Sequence, residues 1–120
     1  EIFDLVGETV IINEEKMTSA TALCACGIAF FLRSIRAASQ GGNEIDFHSA
    51  EALKMAAQTA KGAASLLLKN NSHPEDEIDK VTSPKGCTIA GLNEMEHNGF
   101  SSAFIKGIKV SSEKAKGLYQ

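Results

Sequence analysis

Four residues, Ser83, Gly86, Cys87 and Thr88, stand in a pattern that could do chemistry. Pro84 lacks an N–H and clashes with a preceding helical turn, so it marks a break between elements. Gly86 can adopt backbone conformations closed to other residues. Thr88 is a capping candidate for a helix that carries Ile89, Leu92 and Met95/Glu96 at helical spacing, with Asn98-Gly99 as its stop. The backbone N–H groups around Gly86, Cys87 and Thr88 are then expected to point out of a helix N-terminus. Unpaired donors at the positive end of a helix dipole form an anion site, flanked here by the Ser83 and Thr88 hydroxyls. A small carboxylate or phosphate fits such a site. The same residues also make an ordinary helix–helix connection, and the local pattern alone does not separate the two.

Other reactive residue types do not form constellations. Cys24 and Cys26, together with Cys87, invite a metal reading. Residues two apart on an α-helix point about 200° apart, so the first two cannot ligate from one face. The cysteines are expected to pack as small hydrophobes, and no metal is expected. His48, His73 and His97 stand isolated in polar settings that suit surface or capping roles. Lys106, Lys109, Lys114 and Lys116 spread over the last helical stretch as a solvated face. There is no G-x-G-x-x-G, so the chain carries no dinucleotide fingerprint of its own.

The elements that must position the turn are mostly helical. At 120 residues, with 43% hydrophobic and 22% charged residues, the chain is one domain of ordinary globular composition. Its net charge of −3 and its lack of Trp argue against a nucleic-acid surface. Three unpaired cysteines favour a reducing, cytoplasmic compartment. The apolar run from Ala20 to Leu32 is too short to span a bilayer, so no membrane partner is expected. The chain begins at Glu1 without Met and reads as part of a longer polypeptide.

Residues 1–7 read as the end of a helix or a loose lead-in, and the β-branched run Glu8–Asn13 as a short strand in need of an outside partner. Glu14–Met17 opens a helix through Ala38, with Ala22, Ala25/Cys26, Ala29, Leu32/Arg33 and Arg36 on one face. Gln40-Gly41-Gly42-Asn43 is expected to end it. Asp46 or Ser49 caps the next helix, which runs to about Lys69. Small residues recur on it at Ala50, Ala57 and Ala64, with Leu53, Ala60 and Leu67 in a parallel series. This stripe suits either a buried core helix or a dimer interface. Pro74 opens a short helix with Glu75, Asp76 and Glu77 in its first turn, placing Ile78 and Val81 inward. A last helix runs from Phe100 to about Lys116, with Ala103/Phe104, Gly107/Ile108 and Ser111 on one face.

These residues together resemble the C-terminal domain of the pyrroline-5-carboxylate reductase family over nearly the whole length. Thr21-Ala22-Leu23, Gly27 and Ala29-Phe30 match the family's Thr-Ala-Leu-Ser-Gly-Ser-Gly-Pro-Ala-Phe segment. Gln58-Thr59, Gly62-Ala63-Ala64 and His73-Pro74 match its long helix and the loop after it. Val81-Thr82-Ser83-Pro84, Gly86 and Thr88-Ile89 match its Ser-Pro-Gly-Gly-Thr-Thr-Ile motif, with Gly99-Phe100 following.

The resemblance implies an all-α fold with long buried helices. Residues 1–13, including the strand, would be left over from a missing Rossmann domain, and residues 14–120 would form a helical dimerisation and substrate-binding domain. It implies a homodimer of interleaved helices, with higher oligomers open, and reduction of 1-pyrroline-5-carboxylate to proline with NADP or NAD as cofactor. Ser83, Gly86, Cys87 and Thr88 would bind the substrate, with Gly86 and Cys87 as N–H donors and the catalytic Thr88 hydroxyl near the imine nitrogen. Gly27, Ile28 and Ala29 would lie beside the cofactor, which the missing domain holds. This chain departs from the family at Cys24–Ile28, where Ile28 replaces a proline, and at Lys85, which replaces a glycine. A non-catalytic helical oligomerisation module of a divergent paralogue has the same fold without carboxylate binding.

Overall fold

The computed structural model describes residues 2–118; Glu1, part of the expected lead-in, and Tyr119 and Gln120, part of the expected helical domain, lie outside the described residues. Five helices follow a short 3-10 turn at Ile2–Leu5. They are α1 (Glu14–Glu44), α2 (Ser49–Asn70), α3 (Pro74–Lys80), α4 (Cys87–His97) and α5 (Phe100–Leu118). The first half of α1 packs on α5, and its second half pairs with α2. The short α3 leans on α2, and α4 leans on α5.

The expected strand at Glu8–Asn13 is not formed. The segment runs extended, with Val10 78% exposed and Ile11 fully exposed, and no strand exists among the described residues to pair with it. β-Branched residues favour extended backbone, but a strand needs a neighbour to take its N–H and C=O groups.

Helix α1 is continuous but not uniform. It opens as a 3-10 turn at Glu14–Lys16, becomes α-helical at Met17–Ala20, widens to a π-helix at Thr21–Cys26 and returns to α from Gly27. A π-turn inserts extra backbone, so every later side chain rotates around the axis. The inward face therefore reads Ala22, Cys26/Gly27, Phe30 and Ser34, one residue beyond the sequence expectation, and Ala29, Leu32, Arg33 and Arg36 face out. By length and composition α1 could cross a membrane, which the count of uninterrupted apolar residues missed. Although it packs on α5 and α2, only 11% of that apolar stretch is buried within the single chain.

Gly41-Gly42 does not stop α1. A Cβ on Gly42 would sit 2.9 Å from the Cβ of Ala52, so this glycine lets α1 and α2 approach closely. The helix ends instead in a Schellman motif. The Phe47 N–H donates to the Gly42 carbonyl (3.0 Å) and the Asp46 N–H to Asn43 (3.4 Å), with Asp46 at φ 88°. Neither Asp46 nor Ser49 caps α2; His48 takes the cap position without a side-chain bond.

The fully buried residues are few and small: Ala22, Ala52, Ala115 and Ser39. An aromatic cluster joins α1 to α5, with Phe104 facing Phe30 edge-on (centroids 6.1 Å) and Phe31 and Phe100 at 5.4 and 6.0 Å. Phe104, Gly107, Ile108 and Ser111 turn inward as expected, while Ala103 is exposed. On α3, Ile78 is half-buried, but Val81, expected inward, is 66% exposed. Helix α2, whose stripe suits a buried core helix or a dimer interface, shows solvent most of its surface in the single chain, including Leu53, Leu66 and Leu68. Within a single chain, then, the long helices are not covered.

Candidate functional site

The turn before α4 is built by three residues in sequence. Pro84 fixes its own φ, Lys85 follows at φ 59°, and the Gly86 N–H donates to the Ser83 carbonyl at 2.9 Å. Gly86 then takes the cap position of α4 with extended backbone (φ −75°, ψ 162°). A Cβ on Gly86 would lie 2.5 Å from Ser83 Oγ and 3.0 Å from the Ser83 carbonyl oxygen. The glycine is thus required by close approach to Ser83, not by its own φ.

This geometry moves the expected open donors by one residue. The Gly86 N–H is already given to Ser83, so the N–H groups left open begin at Cys87 and continue through Thr88 and Ile89. Thr88 is the second residue of α4, not its cap, and no side chain caps the helix. Ser83 and Cys87 are exposed and Thr88 is half-buried. Thr82, by contrast, gives its hydroxyl to the Ile78 carbonyl at 2.6 Å. The result is a row of first-turn donors at the positive end of α4, edged by two hydroxyls and by the charge of Lys85. It can receive one anionic group of carboxylate size.

The turn is braced from α3. His73, at the α3 cap position, accepts the Glu75 N–H on Nδ1 at 3.2 Å, which gives the capping role expected of these histidines to one of them. Glu77 accepts from Ser72 Oγ (2.7 Å), Lys80 Nζ (3.0 Å) and Asn70 Nδ2 (3.3 Å). The Ser72 hydrogen bond first, then those of Lys80 and Asn70, hold its carboxyl below the ordinary value of 4.5. The sequence pattern missed this fan: Asn70 and Ser72 join it because Asn71 turns left-handed (φ 46°).

Gly27, Ile28 and Ala29 lie at the end of the π-helical stretch, with Gly27 buried and Ile28 64% exposed. That stretch packs on α5, and the apolar grooves between the helices, among the described residues, are lined by neither these residues nor the Ser83–Thr88 turn. The larger groove, about 920 Å³ and apolar, lies between α1, α2 and α4 and includes Phe31, Met55, Ala60, Ala63 and Met95. The three cysteines are free, and among the described residues no three His, Cys, Asp or Glu side chains converge as metal ligands.

Long helices left uncovered along their apolar faces are the mark of a dimerisation domain, and comparison with known proteins identifies the family. Residues 14–118 match the family described as pyrroline-5-carboxylate reductase dimerisation. The chain is 67% identical over 119 residues to pyrroline-5-carboxylate reductase 1 of Dictyostelium discoideum, covering 99% of this chain and 22% of that protein. It is 64% identical to pyrroline-5-carboxylate reductase 2 of the same organism, over 96% of this chain and 38% of that protein. A crystal structure of 1-pyrroline-5-carboxylate reductase from Streptococcus pyogenes superposes with a TM-score of 0.89 at 34% identity, over 97% of this chain and 46% of that one. The Plasmodium falciparum pyrroline carboxylate reductase, crystallised with NADP bound, superposes with a TM-score of 0.90 at 27% identity, over 99% and 45%. The chain belongs to the pyrroline-5-carboxylate reductase dimerisation family, and it spans less than half the length of these relatives.

Proposed function

We propose that this chain is the dimerisation and substrate-binding part of a cytoplasmic pyrroline-5-carboxylate reductase, the enzyme that reduces 1-pyrroline-5-carboxylate to proline. Residues 14–120 form that part, and residues 1–13 close a nucleotide-binding domain that precedes it. The observation that carries the reading is the row of open N–H groups at the start of α4, held at carboxylate size by the Ser83–Gly86 turn. The substrate carboxylate lies on the Cys87 and Thr88 N–H groups and the Ser83 hydroxyl. Gly86 contributes by having no side chain. The Thr88 hydroxyl sits near the ring imine nitrogen, where it orients the C=N bond and stabilises charge as the nitrogen gains a proton.

A nicotinamide cofactor, NADP or NAD, supplies the hydride equivalent when bound. Its reactive ring would rest against Gly27, Ile28 and Ala29. The fit is steric: Ile28 presents an exposed apolar surface, and Gly27 beside it carries no side chain. The uncovered length of α2 supports a site made between two subunits. A homodimer with interleaved helices then both covers the apolar faces and completes the site.

The test is reduction of pyrroline-5-carboxylate by the full-length protein with NADPH and with NADH, beside a Thr88→Ala variant. Activity that falls about 100-fold or more in the variant supports the reading. A folded, cofactor-binding protein without activity favours a non-catalytic oligomerisation module, with Cys24–Ile28 as the place of divergence.

A further inference from the structure

We propose that His73 is a pH-sensitive cap, whose protonation loosens helix α3 and the turn that α3 feeds. His73 stands at the cap position of α3 with extended backbone (φ −75°, ψ 141°), and its Nδ1 accepts the Glu75 N–H at 3.2 Å. Pro74 follows as the first helical residue and has no N–H to satisfy. The cap bond therefore serves the first N–H of the helix. Only a neutral imidazole can accept on Nδ1; once protonated, both ring nitrogens are donors and the cap bond is replaced by donor facing donor.

The helix that depends on this bond is short. It has seven residues, too few to persist without outside support. Its other anchors are the half-buried Ile78 against α2 and the Glu77 fan of Ser72, Lys80 and Asn70. At its far end it runs directly into the anion-binding turn. The Val81 N–H donates to Ile78 (3.1 Å), the Thr82 N–H to Asp79 (3.2 Å) and the Thr82 hydroxyl to Ile78 (2.6 Å), one residue before Ser83. Fraying of α3 thus removes the support of the turn.

The charged groups around His73 come from two elements. On α3 they are Glu75, Asp76 and Glu77 in the first turn, then Asp79 and Lys80; on α2, the element α3 packs against, the last turn carries Lys69. Glu75, Asp76 and Glu77 can attract a charged ring, whereas the Glu75 N–H is a donor that only a neutral Nδ1 accepts. Protonation thus exchanges a specific hydrogen bond for attraction to acids that can be satisfied without the helix. Glu77 does not titrate in this range, because its carboxyl is held below 4.5.

Loss of substrate affinity in acid would follow only if the carboxylate site is as proposed above, but the cap itself can be read without substrate. The experiment is hydrogen–deuterium exchange with mass spectrometry on the full-length protein, following the peptides that cover residues 73–88. Labelling times at about pH 5.5 and about pH 8 are scaled for intrinsic exchange, across the range in which histidine titrates. The expected protection of these peptides falls about fivefold in acid, the size of a lost cap. His73→Asp, an ionised cap throughout this range, keeps its protection at both values, and His73→Ala is weak at both. Unchanged protection in the native protein, or an equal fall in His73→Asp, overturns the proposal. A parallel rise of KM for pyrroline-5-carboxylate in the native protein alone links the cap to the site. Intact pH-dependent protection with no effect on KM counts against the site and leaves the cap standing.

Discussion

Gly86 has no room for a side chain because Ser83 folds over it, and this single contact shapes the candidate site. Gly86→Ala must push back the Ser83 carbonyl, since the added carbon would sit 3.0 Å from it. The variant should lose about 1–3 kcal/mol of stability by thermal or urea unfolding and most of its affinity for the carboxylate. Lys85 makes the opposite case. Its φ of 59° belongs to the second central position of a turn where glycine is at home. Lys85→Gly should therefore raise stability by about 1 kcal/mol, measured as a higher denaturation midpoint, while removing a positive charge from the site. Glu77 sets a pH dependence of known sign. Its carboxyl titrates lower folded than unfolded, so its contribution is complete above 4.5 and is lost as pH falls below that value. Glu77→Gln should remove this acid-side loss, read as a flatter profile of unfolding midpoint against pH. The turn was legible in the sequence because Pro84 and Gly86 have few conformational options. That the Gly86 N–H is used within the turn was not legible, because it depends on the left-handed Lys85.

Among the elements, the best-read boundaries are those with a local cause. Pro74 opens α3 and Gly99 at φ 82° separates α4 from α5, each as its residue type requires. The errors have tertiary causes. Gly41-Gly42 looked like a stop, yet the glycine serves the approach of α1 to Ala52, and the true end is a Schellman motif on Asp46. Asp46→Gly should raise stability by about 1 kcal/mol, since φ 88° is costly for a residue with a Cβ. The six-residue π stretch moved the buried face of α1 by one position, and a regular 3.6-residue period carries no mark of that slip. Glu8–Asn13 has strand composition but no strand to join among the described residues. Composition states a preference, and pairing is decided elsewhere.

At the scale of the whole molecule the single chain is more open than a compact monomer. Its accessible surface is 10,106 Å², against about 6,200 Å² for a compact monomer of this mass. Its radius of gyration is 17.0 Å, against about 14 Å for a compact chain of this length. An excess of about 3,900 Å² far exceeds the roughly 800 Å² that one partner loses in a standard interface. A charge on the uncovered groove should therefore cost association. Ala63→Glu, between the apolar lining of two grooves, should weaken the dimer at least about thirtyfold by sedimentation velocity. In the proposed dimer two subunits share each site, and mixed dimers test this directly. Thr88→Ala is combined with a variant of the full-length protein that cannot bind the nicotinamide cofactor, each inactive alone, and subunits are exchanged at random. If the turn of one subunit serves the cofactor of the other, each mixed dimer has one intact site, and activity should recover to about a quarter of the native value. No recovery, with mixed dimers shown to form, would place the whole site within one subunit and rule out a shared site.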